Sequence, residues 1–171
     1  TLFRSAIEKD QLPNYGLDIS EEKFMLLQCN VIEDLKIMMT QLLDSFKEQQ
    51  EAGVELPKML IFIDSIGQLA SRKEVEDAKS GKEKADMTRA KALGSFMRII
   101  NADLGKLNIG LVCTNHTYDS MDLFPQKVMK GGQGLFYSAS TIAFLSKAKL
   151  KETDLMDDLD IGQSGILVTA K

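Results

Sequence analysis

Two apolar runs, each closed by polar residues, constrain the fold of this chain more than any other feature. Met59–Ile63 is followed at once by Asp64, and Ile109–Thr114 is followed by Asn115 and His116. Unbroken hydrophobicity over five residues predicts a strand that is covered on both faces, as in the centre of a parallel sheet. A long helical pattern separates the two runs, which predicts parallel strands joined by a right-handed crossover.

The rest of the chain is predicted to alternate helices and strands as well. We expect a short helix near 3–9, a strand over Lys23–Gln28, a helix capped by Asn30 and ended by Gly53, a helix over about 86–107, a long loop over 117–139, and a hairpin of 141–146 with 165–170. The predicted fold is α/β, with a mostly parallel central sheet, flanking helices and a final antiparallel hairpin. Ligands collect at the carboxyl ends of parallel strands, so Asp64 and His116 mark the first candidate site.

Composition bounds the class of protein. The 171 residues suffice for one domain, predicted as 1–171, and 44% of them are hydrophobic. The sequence carries neither an apolar run long enough to span a bilayer nor a basic-then-apolar leader, so we expect no membrane partner and a cytoplasmic location. Cys29 and Cys113 are too few for a disulfide framework and are expected to be reduced core thiols.

The charge of the chain is unevenly distributed. A net charge of −4 argues against a bulk electrostatic nucleic-acid binder. Residues 71–98 nevertheless hold eight basic and five acidic side chains, a local charge of +3, which leaves −7 for the rest of the chain. A mixed-charge stretch is more often a solvated surface, and that interpretation stays open beside a binding role.

The strand that ends in Asp64 is typical of a Walker B strand, whose carboxylate holds the Mg²⁺ that bridges nucleotide phosphates. An Asp that caps the following turn explains this pattern equally well. The phosphate-binding pattern GxxxxGK[ST] does not occur in the sequence. Tight nucleotide binding by this chain alone is therefore not expected.

Four blocks along the chain carry a family resemblance. They are Ile61–Glu74, Asp86–Lys91, Asn115–Tyr118, and Val128–Gly132 with Tyr137–Ala139. In order and spacing they resemble the UvsX recombinases of T-even-like bacteriophages, which are phage relatives of RecA. The resemblance covers nearly the whole chain and implies a RecA-like, P-loop-type ATPase core. It also implies a truncated piece, with the phosphate-binding loop upstream of Thr1 and further core beyond Lys171.

The resemblance implies roles for individual residues. Asp64 would organise Mg²⁺, His116 would sense the γ-phosphate of ATP, and Lys171 would reach the nucleotide of a neighbouring protomer. DNA contact is implied for a first loop, about 73–85, for the helix that follows it, and for a second loop, about 117–138. The residues that would contact single-stranded DNA are Lys73, Arg89, Lys91, Arg98, Gly131, Gly132 and Gln133.

A structural interpretation stays open for several of these residues. His116 could be a loop histidine with local hydrogen bonds, the glycines could be turn formers, and Lys73 could lie on a solvated face. The apolar residues Met121, Phe124 and Met129 could wedge between bases or could anchor the loop to the core.

The complete protein is expected to be a DNA-dependent ATPase that uses ATP and Mg²⁺, forms filaments on single-stranded DNA and promotes strand exchange in phage recombination and repair. The chain alone is expected to be inactive, to bind no cofactor tightly, and to be prone to dimerise through exposed strand edges. Two alternatives stay open. One is another RecA-fold motor, such as a replicative helicase or a clock-type ATPase; the other is a nucleotide-free interaction module.

Overall fold

The computed structural model describes residues 9–81, 88–124, 126–149 and 164–170. The chain divides into two compact units, 1–138 and 139–171. The prediction of a single domain over 1–171 stays a prediction. None of the helices in the described ranges combines the length and the hydropathy that crossing a bilayer requires.

The first unit contains both helices and strands. In chain order the elements are a 3₁₀ helix Lys9–Tyr15, helix α1 Ile32–Glu51, strand β1 Leu60–Ile63, a 3₁₀ turn Ile66–Gln68, helix α2 Arg72–Lys79, helix α3 Thr88–Lys106, strand β2 Gly110–Cys113, strand β3 Thr117–Asp119, strand β4 Lys127–Met129 and helix α4 Gln133–Ser138. Strands β1 and β2 are parallel neighbours, with Leu60 opposite Gly110 and Ile63 opposite Cys113. The predicted parallel pair with an intervening helix is therefore confirmed.

The core lies on one face of the β1–β2 pair. Ile61 and Ile63 pack against buried side chains of α1 and α3, among them Phe96, which has no exposed surface. Leu60 and Phe62 point to the opposite face and are 68% and 51% exposed. The prediction that both faces of this strand are covered is wrong for the described residues, because side chains alternate along a strand and the core covers only one face.

Helix α1 begins one residue later than its sequence predicts. Ala70 donates its backbone N–H to the carbonyl of Asn30 and accepts a bond from the first residue of α1, both at 2.9 Å. This bridge holds the chain extended, so the cap position falls on Val31, which makes no side-chain cap bond. The carboxylate of Glu33 accepts the first backbone N–H of α2 instead. Gly53 has a φ of 76°, which confirms the predicted left-handed stop.

The predicted strand Lys23–Gln28 does not form. Residues 24–30 have no regular structure, and Met25 and Leu27 are 67% and 50% exposed. A strand needs a neighbour to satisfy its backbone hydrogen bonds, and the pairings of the described strands include none with this segment. Most of the short helix predicted near 3–9 lies outside the described residues.

The segment predicted as one long loop, 117–139, contains regular structure. Strands β3 and β4 form an antiparallel pair with Thr117 opposite Met129, and Lys127 forms an ion pair with Asp119 at 2.8 Å. Helix α4 follows. The prediction missed these elements because strands of three residues are too short to leave an alternating pattern.

The described residues of the second unit form a hairpin. Strand β5, Ala143–Lys149, pairs antiparallel with strand β6, Ser164–Ala170, and Ala143 lies opposite Ala170. The predicted terminal hairpin is confirmed. Segment 150–163, which is rich in acidic residues and joins the two strands in sequence, lies outside the described residues.

Candidate functional site

The carboxyl ends of β1 and β2 bring the first candidate residues together. Thr114 continues β2 and donates its backbone N–H to the carbonyl of Ile63 at 3.0 Å. Its hydroxyl donates a hydrogen bond to Oδ1 of Asp64, the residue that follows β1. Asp64 is exposed at this edge of the sheet. The parallel pairing therefore fixes a carboxylate at the position where ligands of such sheets collect.

His116 lies beside the turn that follows Asp64. Its Nε2 is 3.2 Å from the hydroxyl of Ser65 and 3.0 Å from Nε2 of Gln68, and its side chain stays exposed. Both partners are more than 45 residues away in sequence. The sequence predicts a role for His116 but not for these two partners. The position of Ser65, close after the end of β1, is the signal that could have identified it as a neighbour of His116. Local hydrogen bonding and access from solvent thus coexist at this histidine.

Asn115 joins the turn after β1 to the end of β4. A Cβ on Gly67 would lie 2.2 Å from Oδ1 of Asn115, so only glycine fits at this position of the turn. The side-chain amide of Asn115 donates to the carbonyl of Lys130 at 2.7 Å. The backbone N–H of Lys130 in turn donates to the carbonyl of His116 at 2.9 Å. We call Asp64, Thr114 and His116, at the ends of β1 and β2, the strand-end site. These bonds connect the strand-end site to the segment that leads into α4.

The donor set at the strand ends bears on the predicted Mg²⁺. The described residues contain no group of three or more His, Cys, Asp or Glu side chains that could hold a metal ion. Mg²⁺ keeps several waters and is commonly bound by one or two carboxylates together with substrate phosphates. The exposed carboxylate of Asp64 fits such a shared site and does not fit one built from protein ligands alone.

A basic groove runs between α3 and α4. Lys91 and Arg98 are exposed and lie two helical turns apart on α3, with Gly94 on the groove floor between them. Tyr137 of α4 lines the same groove and is 76% exposed. The two helices approach closely, since a Cβ on Gly134 would lie 3.1 Å from the Cα of Gly94. Two cations and one aromatic ring therefore share a single open surface.

Gly131 and Gly132 form the turn that leads into α4. Their φ angles are 103° and 83°, in the region that favours glycine. A Cβ on Gly131 would lie 2.6 Å from Cδ1 of Leu135, and one on Gly132 would lie 3.1 Å from Cβ of Ala90. These contacts support the interpretation of the glycines as turn and packing residues. Gln133, the first residue of α4, is exposed.

The first predicted DNA loop begins as a helix. The buried Ser71 caps α2, because its hydroxyl accepts the N–H of Glu74 at 3.1 Å while the Glu74 carboxylate accepts the N–H of Ser71 at 3.2 Å. The prediction missed this helix, although Ser-x-x-Glu is the sequence signature of such a capping box. Lys73 is exposed on α2. Residues 82–85 of this loop, and Lys171, lie outside the described residues.

Arg89 differs from the other predicted DNA contacts. It is half-buried in the first turn of α3, and its Nη2 donates a hydrogen bond to the carbonyl of Gly67. Its Nε is buried and has no hydrogen-bond partner among the described residues. The guanidinium of Arg89 thus points at the turn that follows β1.

The tip between β3 and β4 exposes apolar side chains. Met121, Leu123 and Phe124 are 107%, 93% and 81% exposed, whereas Met129 packs against the core. Of the three apolar residues singled out in this segment, Met129 is an anchor and Met121 and Phe124 are not.

Comparison with known proteins gives one match of note. No protein-family profile matches the chain. The chain is 36% identical over 137 residues to a protein of Enterobacteria phage T4 named "Recombination and repair protein". The matched region is 80% of this chain but 33% of the phage protein, so the chain spans about a third of the length of this relative. Over four fifths of its own length, the chain is therefore similar to a phage recombination and repair protein.

Proposed function

We propose that this chain is part of the RecA-like ATPase core of a phage recombination and repair protein, and that it contacts single-stranded DNA through the groove between α3 and α4. One observation carries the proposal: a carboxylate, a histidine and a basic, aromatic-lined groove lie on consecutive, hydrogen-bonded elements of one unit. The role in recombination and repair rests on the similarity to the phage T4 protein. ATP hydrolysis, filament formation and strand exchange are proposals for the complete protein.

The strand-end site is suited to a nucleotide that other parts of the protein help to hold. Asp64, oriented by Thr114, would contribute the one protein carboxylate of a Mg²⁺ site. Bound ATP and Mg²⁺ would supply the phosphoryl-transfer chemistry, and the protein would supply position and charge. His116 would respond to the terminal phosphate, because its ring is exposed and rests on two side chains of the turn after β1. Lys171 keeps its proposed role at the nucleotide of a neighbouring protomer.

The groove between α3 and α4 has the two ingredients of a site for single-stranded nucleic acid. Lys91 and Arg98 would neutralise phosphates, and Tyr137 offers an exposed ring on which a base could stack. Because stacking is available to every base, such a groove would bind with little sequence preference. The net charge of −4 does not oppose this, since a phosphate responds to the local cations within about 10 Å.

Other predicted DNA contacts lie on the turn before α4, at the start of α4 and on α2. Gly131 and Gly132 carry no side chain that could shield their backbone N–H groups, so the turn that packs on α3 could also approach a phosphate. Gln133 follows them at the start of α4 and Lys73 is exposed on α2. Among these residues we expect Lys91 and Arg98 to contribute most of the salt-dependent affinity, because they lie in one groove.

Self-association is proposed from the exposed apolar surface. Leu60, Phe62 and Val112 are exposed by 68%, 51% and 44% on the face of the β1–β2 pair away from the core. Such a surface would be covered in a filament of the complete protein and could pair two copies of the isolated chain.

A binding measurement tests the DNA-contacting role. Fluorescence anisotropy of a labelled oligothymidine would be followed while the chain is added at several salt concentrations. We expect weak binding whose log affinity falls linearly with log salt, by about 0.7 per neutralised phosphate. Absence of binding at low salt would contradict the DNA-contacting role.

A further inference from the structure

Arg89 is placed to act on the strand-end site and not on solvent. Its Nη2 donates to the carbonyl of Gly67, and its Nε is buried. Arg89 has replaced hydrogen bonds to water by a hydrogen bond to a backbone carbonyl. If its guanidinium moved away to reach a phosphate, that hydrogen bond would be lost. Lys91, two residues further along the same helix, has no such constraint because it is exposed.

The carbonyl that Arg89 holds belongs to the turn on which His116 rests. Gln68, the next residue, lies 3.0 Å from the His116 ring, and Ser65, two residues before, lies 3.2 Å from it. Gly67 itself packs against Asn115, where a side chain would clash. The position of this turn is thus set from one side by α3 and from the other by the end of β2.

A second contact joins the start of α3 to the cap of α2, which follows the turn at Gly67. Thr88, the first residue of α3, has its hydroxyl 3.3 Å from that of the buried Ser71, which caps α2. The start of α3 is therefore bonded both to the turn at Gly67 and to the cap of α2. A helix is a rigid element, so a displacement at its groove-lining residues reaches these two contacts.

We propose that Arg89 is a positioning residue that couples the His116 site to the DNA-contacting face of α3. This inference rests on the proposed function of the α3–α4 groove. Arg89 holds the Gly67 carbonyl and thereby sets the partners of His116. Because coupling between two sites is reciprocal, DNA in the groove alters the surroundings of His116, and a ligand at His116 alters the affinity of the groove. The alternative is that Arg89 contacts a DNA phosphate directly.

The chain offers a clean probe for this coupling, since His116 is its single histidine. The resonance of the His116 ring Cε1–H can be followed by NMR at fixed pH without further assignment. Arg89→Met keeps much of the packing but removes every donor, and Arg89→Lys restores a donor that can reach a carbonyl. Lys106→Met, at the other end of α3, is the matched control for the loss of one exposed cation.

Without DNA, we expect Arg89→Met to shift the His116 resonance, Arg89→Lys to move it back toward the original position, and Lys106→Met to leave it unchanged. The amide spectrum of each variant shows whether the chain is folded. If Arg89→Met does not fold, Arg89→Lys is compared with Lys106→Met instead. The shorter lysine cannot reproduce the guanidinium contact in full, so we then expect Arg89→Lys to shift the His116 resonance and Lys106→Met to leave it unchanged. A folded Arg89→Met chain with an unshifted His116 resonance overturns the inference.

With oligothymidine at saturation, we expect a further change in the His116 resonance that is lost in Arg89→Met. In the salt titration, Lys91→Met would lower the slope by about 0.7, whereas Arg89→Met would leave it unchanged. A loss of about 0.7 in Arg89→Met with an unshifted His116 resonance identifies a direct phosphate contact and overturns the positioning role. If the unaltered chain binds no oligonucleotide, the proposed function fails, while the DNA-free comparison still tests the link between Arg89 and His116.

Discussion

The hydroxyl of Thr114 donates a hydrogen bond to Oδ1 of Asp64 and so joins the ends of two parallel strands. Each of the two residues directly follows its strand, β2 and β1 respectively. The bond limits the directions that the exposed carboxylate can take, as the proposed Mg²⁺ site at this edge would require. Because the bond should contribute to stability, it can be tested by measuring the free energy of unfolding of Thr114 variants.

Replacing Thr114 by Val keeps the shape of the side chain and removes the donor. We expect Thr114→Val to lower the free energy of unfolding by about 1 kcal/mol, the usual net contribution of a hydrogen bond. Thr114→Ser should retain most of that stability, because it keeps the hydroxyl. Urea denaturation measures both values, with Thr117→Val on exposed β3 as a control expected to change stability by less than about 0.5 kcal/mol. A loss in Thr114→Ser without a loss in Thr114→Val would show that the methyl group matters and the hydrogen bond does not.

The same substitution at two glycines should have opposite effects. In Gly67→Ala the new Cβ would lie 2.2 Å from Oδ1 of Asn115, and we expect a loss of about 1–3 kcal/mol from overpacking. Gly105 lies in α3 with open space around its Cβ position, so Gly105→Ala should gain about 0.5–1 kcal/mol from helix propensity. Thermal or urea unfolding of the two variants decides the point. A Gly67→Ala chain as stable as the original would contradict the close approach of the turn to Asn115.

Ser71, the cap of α2, should be sensitive to substitution. It is fully buried, it accepts the N–H of Glu74, and its hydroxyl lies next to that of Thr88. We expect Ser71→Ala to cost about 1–2 kcal/mol, because a helix loses its cap and a buried polar group loses a neighbour. Ser80→Ala, at the exposed other end of α2, should cost less than about 0.5 kcal/mol. A similar small loss at both serines, measured by urea denaturation, would contradict the capping role.

Cys113 should react as a buried thiol. Burial raises the pKa of the Cys113 thiol from 9.0 to about 11. Between these values the unfolded chain loses the proton and the folded chain keeps it, so this contribution to stability is complete below pH 9 and falls as the pH rises toward 11. In a Cys29→Ser variant, alkylation by iodoacetamide should show a midpoint near pH 11, and near pH 9.0 when the chain is unfolded in urea. A midpoint near pH 9.0 in the folded chain would show that Cys113 is not protected.

The parts of the fold that the sequence predicted are those with long, local patterns. The apolar runs before Asp64 and His116 predicted two strands and the edge at which those residues lie, and the period of α3 predicted its helix. The sequence does not predict strands β3 and β4, because a strand of three residues is too short to show an alternating pattern. The segment Lys23–Gln28 has the hydrophobicity of a strand, but hydrophobicity does not supply the neighbour that a strand needs.

The sequence predicts Asp64 and His116 as candidate residues but not the contacts that they make. Ser65 and Gln68 meet His116 across 51 and 48 positions, and no local pattern records such a meeting. Arg89 and Lys91 look alike as basic residues on one helix. Only the packing separates them, because Arg89 turns to a backbone carbonyl while Lys91 stays exposed. The sequence predicts DNA contact for both residues, because charge alone does not show the direction in which a side chain points.

The central claim is that the groove between α3 and α4 binds single-stranded DNA. The most direct test compares the salt dependence of oligothymidine binding in Lys91→Ala plus Arg98→Ala with that in Lys58→Ala plus Lys106→Ala. Both double variants remove two exposed cations, but only the first pair lies in the groove. The claim predicts that the slope of log affinity against log salt falls by about 1.4 in the first variant and stays unchanged in the second. An unchanged slope in the groove variant, or an equal fall in both, would contradict it.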